Sequence, residues 1–333
     1  MDFTQLNPKY IRDPKNTTQK YKLINAATKK SATKEIYSII KELRIPIVYN
    51  TLWISKKPTN GLRAIALDAQ NRKQYFYDSN WIILKKDEKY KRLLLMLKSI
   101  PKLLNRIQQD SEKLKDNQPF NIKRVIAYMI QMMEMTNLRI GNKKYFVKYK
   151  SHGLCTLKRK HISLHLKKNG RSHVVELNFI GKHKIKHHIV FQHKKLFTFL
   201  NEILKKNTNK ENWVFCYQNN NNEFYRVTAQ MVNNYIHQIT LGKKIFTAKD
   251  IRTYNANAIF LQILQSKILQ SLEQKNIEQN IRQAIQETSI YLGHSANICK
   301  QSYLMNAILA LYRENPKQIQ NLNLIKILKK YSR

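Results

Sequence analysis

The chain has 333 residues and carries 61 lysines and arginines against 21 aspartates and glutamates, a formal net charge of +40. Its 42% hydrophobic content is enough to bury real cores. No run approaches the roughly 18 apolar residues of a membrane span, and the opening MDFTQLNPKY lacks the apolar centre of a secretory signal. An excess charge of this size gathers polyanions, so the composition points to nucleic acid as partner and to a soluble, intracellular protein without membrane attachment.

Cys155, Cys216 and Cys299 are odd in number and far apart, with no CxxC pair, which fits a reducing compartment rather than a disulfide framework. The charge is unevenly spread: residues 141–200 hold 15 lysines and arginines and one acid, Glu176. Such a segment repels itself unless something negative lies across it.

In chain order, residues 1 to about 30 are polar and basic and are expected to be partly extended. Ala32–Leu43 predicts a short amphipathic helix, with Ile36, Ile39, Ile40 and Leu43 at helical spacing, Ser31 as cap and Pro46 beyond its end. VYNTLWIS, LRAIALDA and KQYFYDSNWIIL read as β segments divided by the turns KKPTNG and QNRK, ending near Leu84. After the charged bridge KKDEKYKR, Tyr90–Asp110 and Asn121–Leu138 are amphipathic helices, the second ended by Gly141 as C′ residue. Its Met129, Met132 and Met133 are read as core filler.

A β interlude follows. HISLHL alternates, LKKNGRS offers an Asn-Gly turn, VVELNFI follows, and GKHK turns into IKHHIVF, so Lys182 is placed at the tip between two strands of a three-stranded sheet. From Lys194 onward the chain reads as helices joined by polar loops such as QNNNNE, with a Gln-rich surface stretch at 262–286. The expected class is α+β: a small antiparallel β-rich domain over 1–86 and a larger, mainly helical domain with a three-stranded sheet over 87–333.

There is no GxxxxGK[ST] phosphate loop, no HExxH and no carboxylate cluster, so neither ATP nor a metal is expected. His183, His187, His188 and His193 come nearest to a metal set, but the lysines among them repel a cation. What remains is a set of cations and a tyrosine. NLRIGNKKY places Arg139 at a helix end, followed by Lys144 and Tyr145; FIGKHK places Lys182 on a hairpin; AKDIRTY places Lys249 and Arg252 on neighbouring faces of a helical start; YLGHSANICKQSY supplies His294 and Tyr303. Singly each has a bland reading: a surface arginine, a solvated lysine, a core histidine, a packed tyrosine.

Together, in order and surroundings, these segments resemble the type IB DNA topoisomerases, in the compact poxvirus-like branch found in large DNA viruses and some bacteria. LRIPIVYNTLWIS and GLRAIALDAQNRKQYFY look like that branch's N-terminal domain, and LRIGNKKY, LCTLKRKHI, FIGK, KDIRTY and LGHS-to-Tyr303 continue the likeness. The resemblance implies that Tyr303 attacks a DNA phosphodiester and forms a 3′-phosphotyrosyl link. It implies that Arg139, Arg252 and His294 hold the non-bridging oxygens and that Lys182 protonates the leaving 5′-oxygen. Gln74, Tyr75, Tyr77, Lys144, Tyr145 and Lys249 match DNA-contacting positions. The implied enzyme is a monomer clamped on duplex DNA, working without ATP or divalent cation, in host cytoplasm or nucleus and in the virion if viral. Where poxvirus relatives carry an acid after the hairpin lysine, this chain has His183.

The chemistry agrees. Phosphoryl-transfer transition states gather negative charge, which preorganised donors stabilise, and the fork of arginine pairs with two oxygens at once. Arginines crowding a lysine lower its pKa and make it a better acid. In one continuous helix, nine residues at about 100° each would put His294 and Tyr303 on opposite faces. Gly293 in a left-handed conformation, with Ser295 capping a new helix, removes that opposition. Of the rival nucleophiles, Tyr291 is expected in the core and Tyr254 trails Arg252 too closely. Two other readings use the same residues. A tyrosine recombinase shares the Arg, Lys, Arg, His and Tyr logic but usually carries an HxLR box where KDIRTY stands, and an architectural DNA-binding protein needs only the charge.

Overall fold

The computed structural model describes residues 9–13, 22–112, 119–166, 172–206, 212–221, 223–240, 246–270 and 276–331. The chain divides into two compact units, Met1–Lys89 and Tyr90–Arg333.

In the first unit, β1 (Lys9–Arg12), β2 (Leu23–Asn25), β3 (Thr51–Thr59), β4 (Leu62–Leu67) and β5 (Lys73–Tyr77) form an antiparallel sheet in the order β2-β1-β3-β4-β5. Helix α1 (Lys34–Glu42) covers one face. Its Ile36, Ile39 and Ile40, spaced to share one stripe, meet Leu52, Ile54, Ala64 and Ala66 from the sheet. The β3–β4 turn takes left-handed backbone at Asn60 and Gly61, φ 49° and 75°, the conformation an Asn-Gly pair adopts most readily.

Two sequence expectations change here. The N-terminal segment contributes two paired strands, β1 and β2, too short for periodicity to reveal. NWIIL is not a strand: helix α2 (Ser79–Glu112) starts at it. The Asp78 carboxylate accepts from the Asn80 N–H at 2.9 Å and its carbonyl accepts from the Ile82 N–H at 3.0 Å. That capping outweighs the β-type composition of Ile82, Ile83 and Leu84, which are left exposed.

The second unit continues with α3 (Ile122–Thr136), α4 (Lys143–Tyr149), the antiparallel sheet β6 (Ile162–Leu166), β7 (His173–Ile180) and β8 (Lys186–Gln192), and α5 (Lys194–Lys206). A hairpin of β9 (Cys216–Gln218) and β10 (Phe224–Arg226) precedes α6 (Ala229–Thr240), α7 (Ala248–Gln270), α8 (Ile277–Leu292), α9 (Ala296–Ser302), α10 (Asn306–Glu314), α11 (Pro316–Ile319) and α12 (Leu324–Tyr331). One core gathers α3, α5, α6 and the three-stranded sheet, with Met129, Met132 and Met133 inside it, as the sequence predicts. A second core packs α7 and α8 against α9 to α12.

The β9–β10 hairpin corrects the expectation of helices and loops alone, and between its strands Asn219 Oδ1 accepts from the N–H groups of Asn221 and Glu223. Gly141 does not end α3. Asn137 does, in left-handed backbone at φ 52°, its N–H donating to the Met133 carbonyl. The Gln-rich stretch is not simply solvated, because the Gln265 amide donates to the carbonyls of Ile319, Gln320 and Leu322. The Asn169–Gly170 turn lies outside the described residues. Among the described residues no helix is long and apolar enough to cross a membrane.

Candidate active site

Arg139 stands in the short link between α3 and α4, and its main chain is fixed from one side. The Arg139 carbonyl accepts from Leu154 N–H at 3.0 Å, and the Ile140 carbonyl from Cys155 N–H at 2.7 Å. Gly141, at φ +77°, lies so close to Gly153 that a side-chain carbon on Gly153 would fall 2.7 Å from the Gly141 Cα, and 2.6 Å from the Arg139 carbonyl. That close approach, rather than helix termination, is what Gly141 provides.

Arg252 lies in the first turn and a half of α7 and is buried. Asp250, in that first turn, accepts from the Thr247 N–H and hydroxyl and from Arg92. One turn past Arg252, the fully buried Asn257 grips the chain around the tyrosine: its Nδ2 donates to the Tyr303 carbonyl at 3.0 Å and its Oδ1 accepts from Met305 N–H at 2.9 Å. A second amide contact, Asn255 Nδ2 to Asn137 Oδ1 at 3.2 Å, ties α7 to the residue that begins the Arg139 link.

Gly293 ends α8 in left-handed backbone at φ 60°, and the Ser295 hydroxyl caps α9 by accepting from Ile298 N–H, so the helix breaks beside His294 as expected. The carbonyls at this break collect both guanidinium groups: Arg139 Nη1 donates to Gly293 at 3.4 Å and Arg252 Nη2 donates to Leu292. Tyr303, the C-cap of α9, is 8% exposed and stacks on His294. The Arg252 guanidinium lies 5.2 Å from the centre of the Tyr303 ring. Arg252 Nε, Arg252 Nη1 and His294 Nε2 are buried without a hydrogen-bond partner.

Lys182 occupies the exposed tip between β7 and β8, with its ammonium 5.9 Å from the Tyr145 ring centre. Tyr145 belongs to α4, which buries none of its side chains and shows Lys144, Tyr145, Val147 and Tyr149 to solvent. Although the residue is exposed overall, partial loss of water around its ammonium comes first, then the charges of Arg139, Lys249 and Arg252, in holding Lys182 below the usual lysine range. Burial, then the charge of Arg139, brings Arg252 down to about 10. Burial, then Arg252, brings His294 down to about 4, against the pull of the Ser295 carbonyl and with Arg139 adding to the depression. Arg139 is lowered by burial, and the Tyr303 phenol counters this by charge and hydrogen bonding.

Four of the five candidate catalytic residues, Arg139, Arg252, His294 and Tyr303, thus gather around the Gly293 break from three separate parts of the second unit, while Lys182, beside Tyr145, is near enough to feel the charges of Arg139, Lys249 and Arg252. In the first unit, Gln74, Tyr75 and Tyr77 share β5 but not one face. Tyr77 packs on Leu62 and Ile65 with Trp53, Tyr75 is exposed, and Gln74 points the other way and donates to Asp68 at 3.0 Å. Tyr291 is corrected: at 62% exposed it is a surface residue, because it shares with Ile290 the side of α8 turned away from the buried Thr288, Ser289 and Leu292. Tyr254 packs against the second core. Among the described residues no group of three or more His, Cys, Asp or Glu side chains could hold a metal ion.

A family model described as eukaryotic DNA topoisomerase I, catalytic core, matches residues 78–326. The chain is 34% identical over 310 residues, 90% of its length and 88% of the relative's, to DNA topoisomerase 1B of Acanthamoeba polyphaga mimivirus. The chain belongs to the type IB DNA topoisomerases. It is also 24% identical over 285 residues, 84% of its length and 82% of the relative's, to DNA topoisomerase 1B of Vaccinia virus (strain Copenhagen).

Sequence reasoning missed three parts of this candidate site in the type IB topoisomerase chain. Asn257 reads as one more polar residue in a long helix, and only the fold brings Tyr303 and Met305 to it. The Gly141–Gly153 contact joins residues whose pairing no spacing announces. His187, set aside as a failed metal ligand, turns inward, stacked on Phe179 with ring centres 4.8 Å apart.

Proposed function

We propose that the enzyme relaxes torsionally strained duplex DNA by nicking one strand through a 3′-phosphotyrosyl link, letting the free end swivel, and resealing. The observation that carries this reading is the pair of unpartnered buried donors on Arg252, Nε and Nη1, with the unpartnered Nε2 of His294 beside them, set against the Tyr303 ring. Buried donors without partners are costly, and two oxygens of a phosphodiester satisfy them. Because the donors are already fixed, charge developing at phosphorus is stabilised without reorganisation.

In the proposed step, Tyr303 Oη attacks phosphorus, its proton passing to solvent, while Arg139, Arg252 and His294 hold the non-bridging oxygens. The bond from phosphorus to the 5′-oxygen breaks, and Lys182 gives that oxygen a proton, for which its lowered pKa suits it. Resealing is the reverse, and because one phosphodiester replaces another, neither ATP nor a divalent cation enters.

The His294 tautomer adds a condition. Its Nδ1 lies 3.3 Å from the Ser295 carbonyl, which can only accept, so Nδ1 carries the hydrogen. Nε2 then donates to a phosphate oxygen only when the ring is protonated, which an anion in the pocket promotes.

The reading extends to the rest of the chain. The α+β catalytic fold shared by topoisomerases IB and tyrosine recombinases spans 87–333, and 1–86 contributes the second half of a grip on duplex DNA by a monomer inside the cell. Tyr75, Tyr77, Gln74, Lys144, Tyr145 and Lys249 contact that duplex. The test is to incubate the protein with end-labelled duplex and with supercoiled plasmid, denature, and map any adduct. Wild type is expected to relax the plasmid and to be trapped on a 3′-phosphate, and Tyr303→Phe to do neither. Attachment to a 5′-phosphate, or an adduct that survives Tyr303→Phe, overturns the assignment.

A further inference from the structure

We infer that His187 is a positioning residue that holds the Lys182 hairpin against the His294 turn, an inference resting on the reading of Lys182 as the acid for the leaving oxygen. The hairpin tip needs an anchor. Lys182 to Lys184 bury none of their side chains, and His183 and Lys184 sit in left-handed backbone at φ 63° and 59°. At the base of the tip the Gly181 N–H donates to the Ile185 carbonyl at 2.8 Å.

The His187 ring supplies the contact. On β8 its neighbours Lys186 and His188 are exposed while His187 is half-buried, stacked on Phe179 at an interplanar angle of 17°. A side-chain carbon on Gly181 would lie 2.5 Å from His187 Nε2, and one on Gly293 would lie 2.5 Å from His187 Cε1. The ring therefore fills the space left by two missing side chains. Gly181 immediately precedes Lys182, and Gly293 immediately precedes His294. The FIGK and LGHS motifs each place a glycine before a polar residue of the site, and one imidazole lies between the two glycines. Burial and the charges of Arg139 and Arg252 keep that ring below the usual histidine range, as befits a neutral spacer among cations. A proton donor must stand within hydrogen-bond reach of its target, so the register of this contact sets where Lys182 can act.

The test compares two duplexes that differ at a mapped cleavage site, one with the natural 5′-oxygen and one with sulfur in its place. A thiol has a pKa near ~8.5, so a thiolate leaves without being protonated. In single-turnover cleavage of the oxygen duplex, Lys182→Ala and His187→Ala are both expected to be slow, His187→Ala by about 10²-fold, the cost of roughly 1 Å of misplacement. On the sulfur duplex both are expected to recover most of the wild-type rate.

If Lys182→Ala recovers and His187→Ala stays slow on sulfur, or if His187→Ala is not slow on oxygen, the inference is overturned alone. If Lys182→Ala does not recover on sulfur, the reading of Lys182 as acid fails and takes the inference with it. Gly181→Ala guards against a misfolded His187→Ala: Gly181 has φ −91°, open to any residue, but the new carbon strikes the His187 ring. It too is expected to be slow on oxygen and to recover on sulfur. Paired with His187→Ala, it is expected to be no slower than His187→Ala by itself, whereas defects that multiply would refute the shared contact.

Discussion

The His294 imidazole and the Tyr303 phenol stack with centroids 4.9 Å apart and planes 19° apart, although they stand nine residues apart at the end of a helix. Gly293 ends one helix and Ser295 starts the next, so the two rings approach from different axes. Both rings then lie beside Arg252, whose buried Nε–H and Nη1–H have no partner and suit the phosphate of the proposed function.

A pocket built for an anion is costly without one. Arg252 is buried beside Arg139 and brought down to about 10. Replacing a poorly paired buried charge by an apolar chain of similar length gains roughly 1–4 kcal/mol, and the lost bond to the Leu292 carbonyl costs about 1 kcal/mol. Arg252→Met is therefore expected to raise the urea midpoint of unfolding while cutting single-turnover DNA cleavage by about 10²-fold or more. A variant that is both less stable and inactive would count against the anion-pocket account.

Acid should weaken the fold through the same pocket. His294 is held at about 4, whereas the unfolded chain titrates near ~6.5. Between those values the unfolded state binds the proton and the native state does not, so stability rises with pH across the window and falls as acid is added. His187, lowered for similar reasons, keeps part of the slope. Urea titrations of wild type and His294→Gln between about pH 7 and pH 5 are expected to show the smaller loss in the variant.

Asn257→Ala leaves the Tyr303 carbonyl and the Met305 N–H without the partner each has in the fold. Each orphaned buried group costs roughly 1–3 kcal/mol, so for the two a destabilisation of about 2–6 kcal/mol is expected in denaturant melts. Because the lost bonds hold the main chain of Tyr303, cleavage should fall even at temperatures where the variant is fully folded.

Lys249 is one of three cations that lower Lys182 after burial has done so. Lys249→Gln should let Lys182 rise toward its ordinary range. As the proposed acid, Lys182 must be protonated, so activity is expected to be lost as pH rises through its pKa. The variant's alkaline loss should accordingly move to higher pH, with a slower plateau because the acid is weaker. Single-turnover cleavage at saturating duplex, followed across pH, checks both.

With a formal charge of +40, duplex affinity should fall steeply with salt. Each neutralised phosphate adds about 0.9 to the slope of log affinity against log salt. Lys144→Ala is expected to reduce that slope by about one phosphate, and a salt-independent affinity would remove the DNA-gripping role.

Local rules written in contiguous residues were legible before any fold was known. The α1 stripe, the methionine-filled α3, the three-stranded sheet with Lys182 at its tip, and the Gly293–Ser295 break all follow from periodicity, turn chemistry and capping acting over a few residues. Local rules also misled where two of them competed: at NWIIL composition favoured a strand and the Asp78 cap made a helix, and at Gly141 the terminating role belonged to Asn137.

The sequence by itself determined which chemistry this protein could carry: a cationic chain holding two arginines, a lysine, a histidine and a tyrosine, each in a recognisable local setting. Only the tertiary structure brought the two arginines, the histidine and the tyrosine together. Asn257 against the Tyr303 main chain, Gly141 against Gly153, and His187 between Gly181 and Gly293 join segments far apart in the chain. Such contacts are fixed by close packing and by the pairing of buried polar groups, which depend on what the rest of the fold leaves room for and leave no period in the sequence.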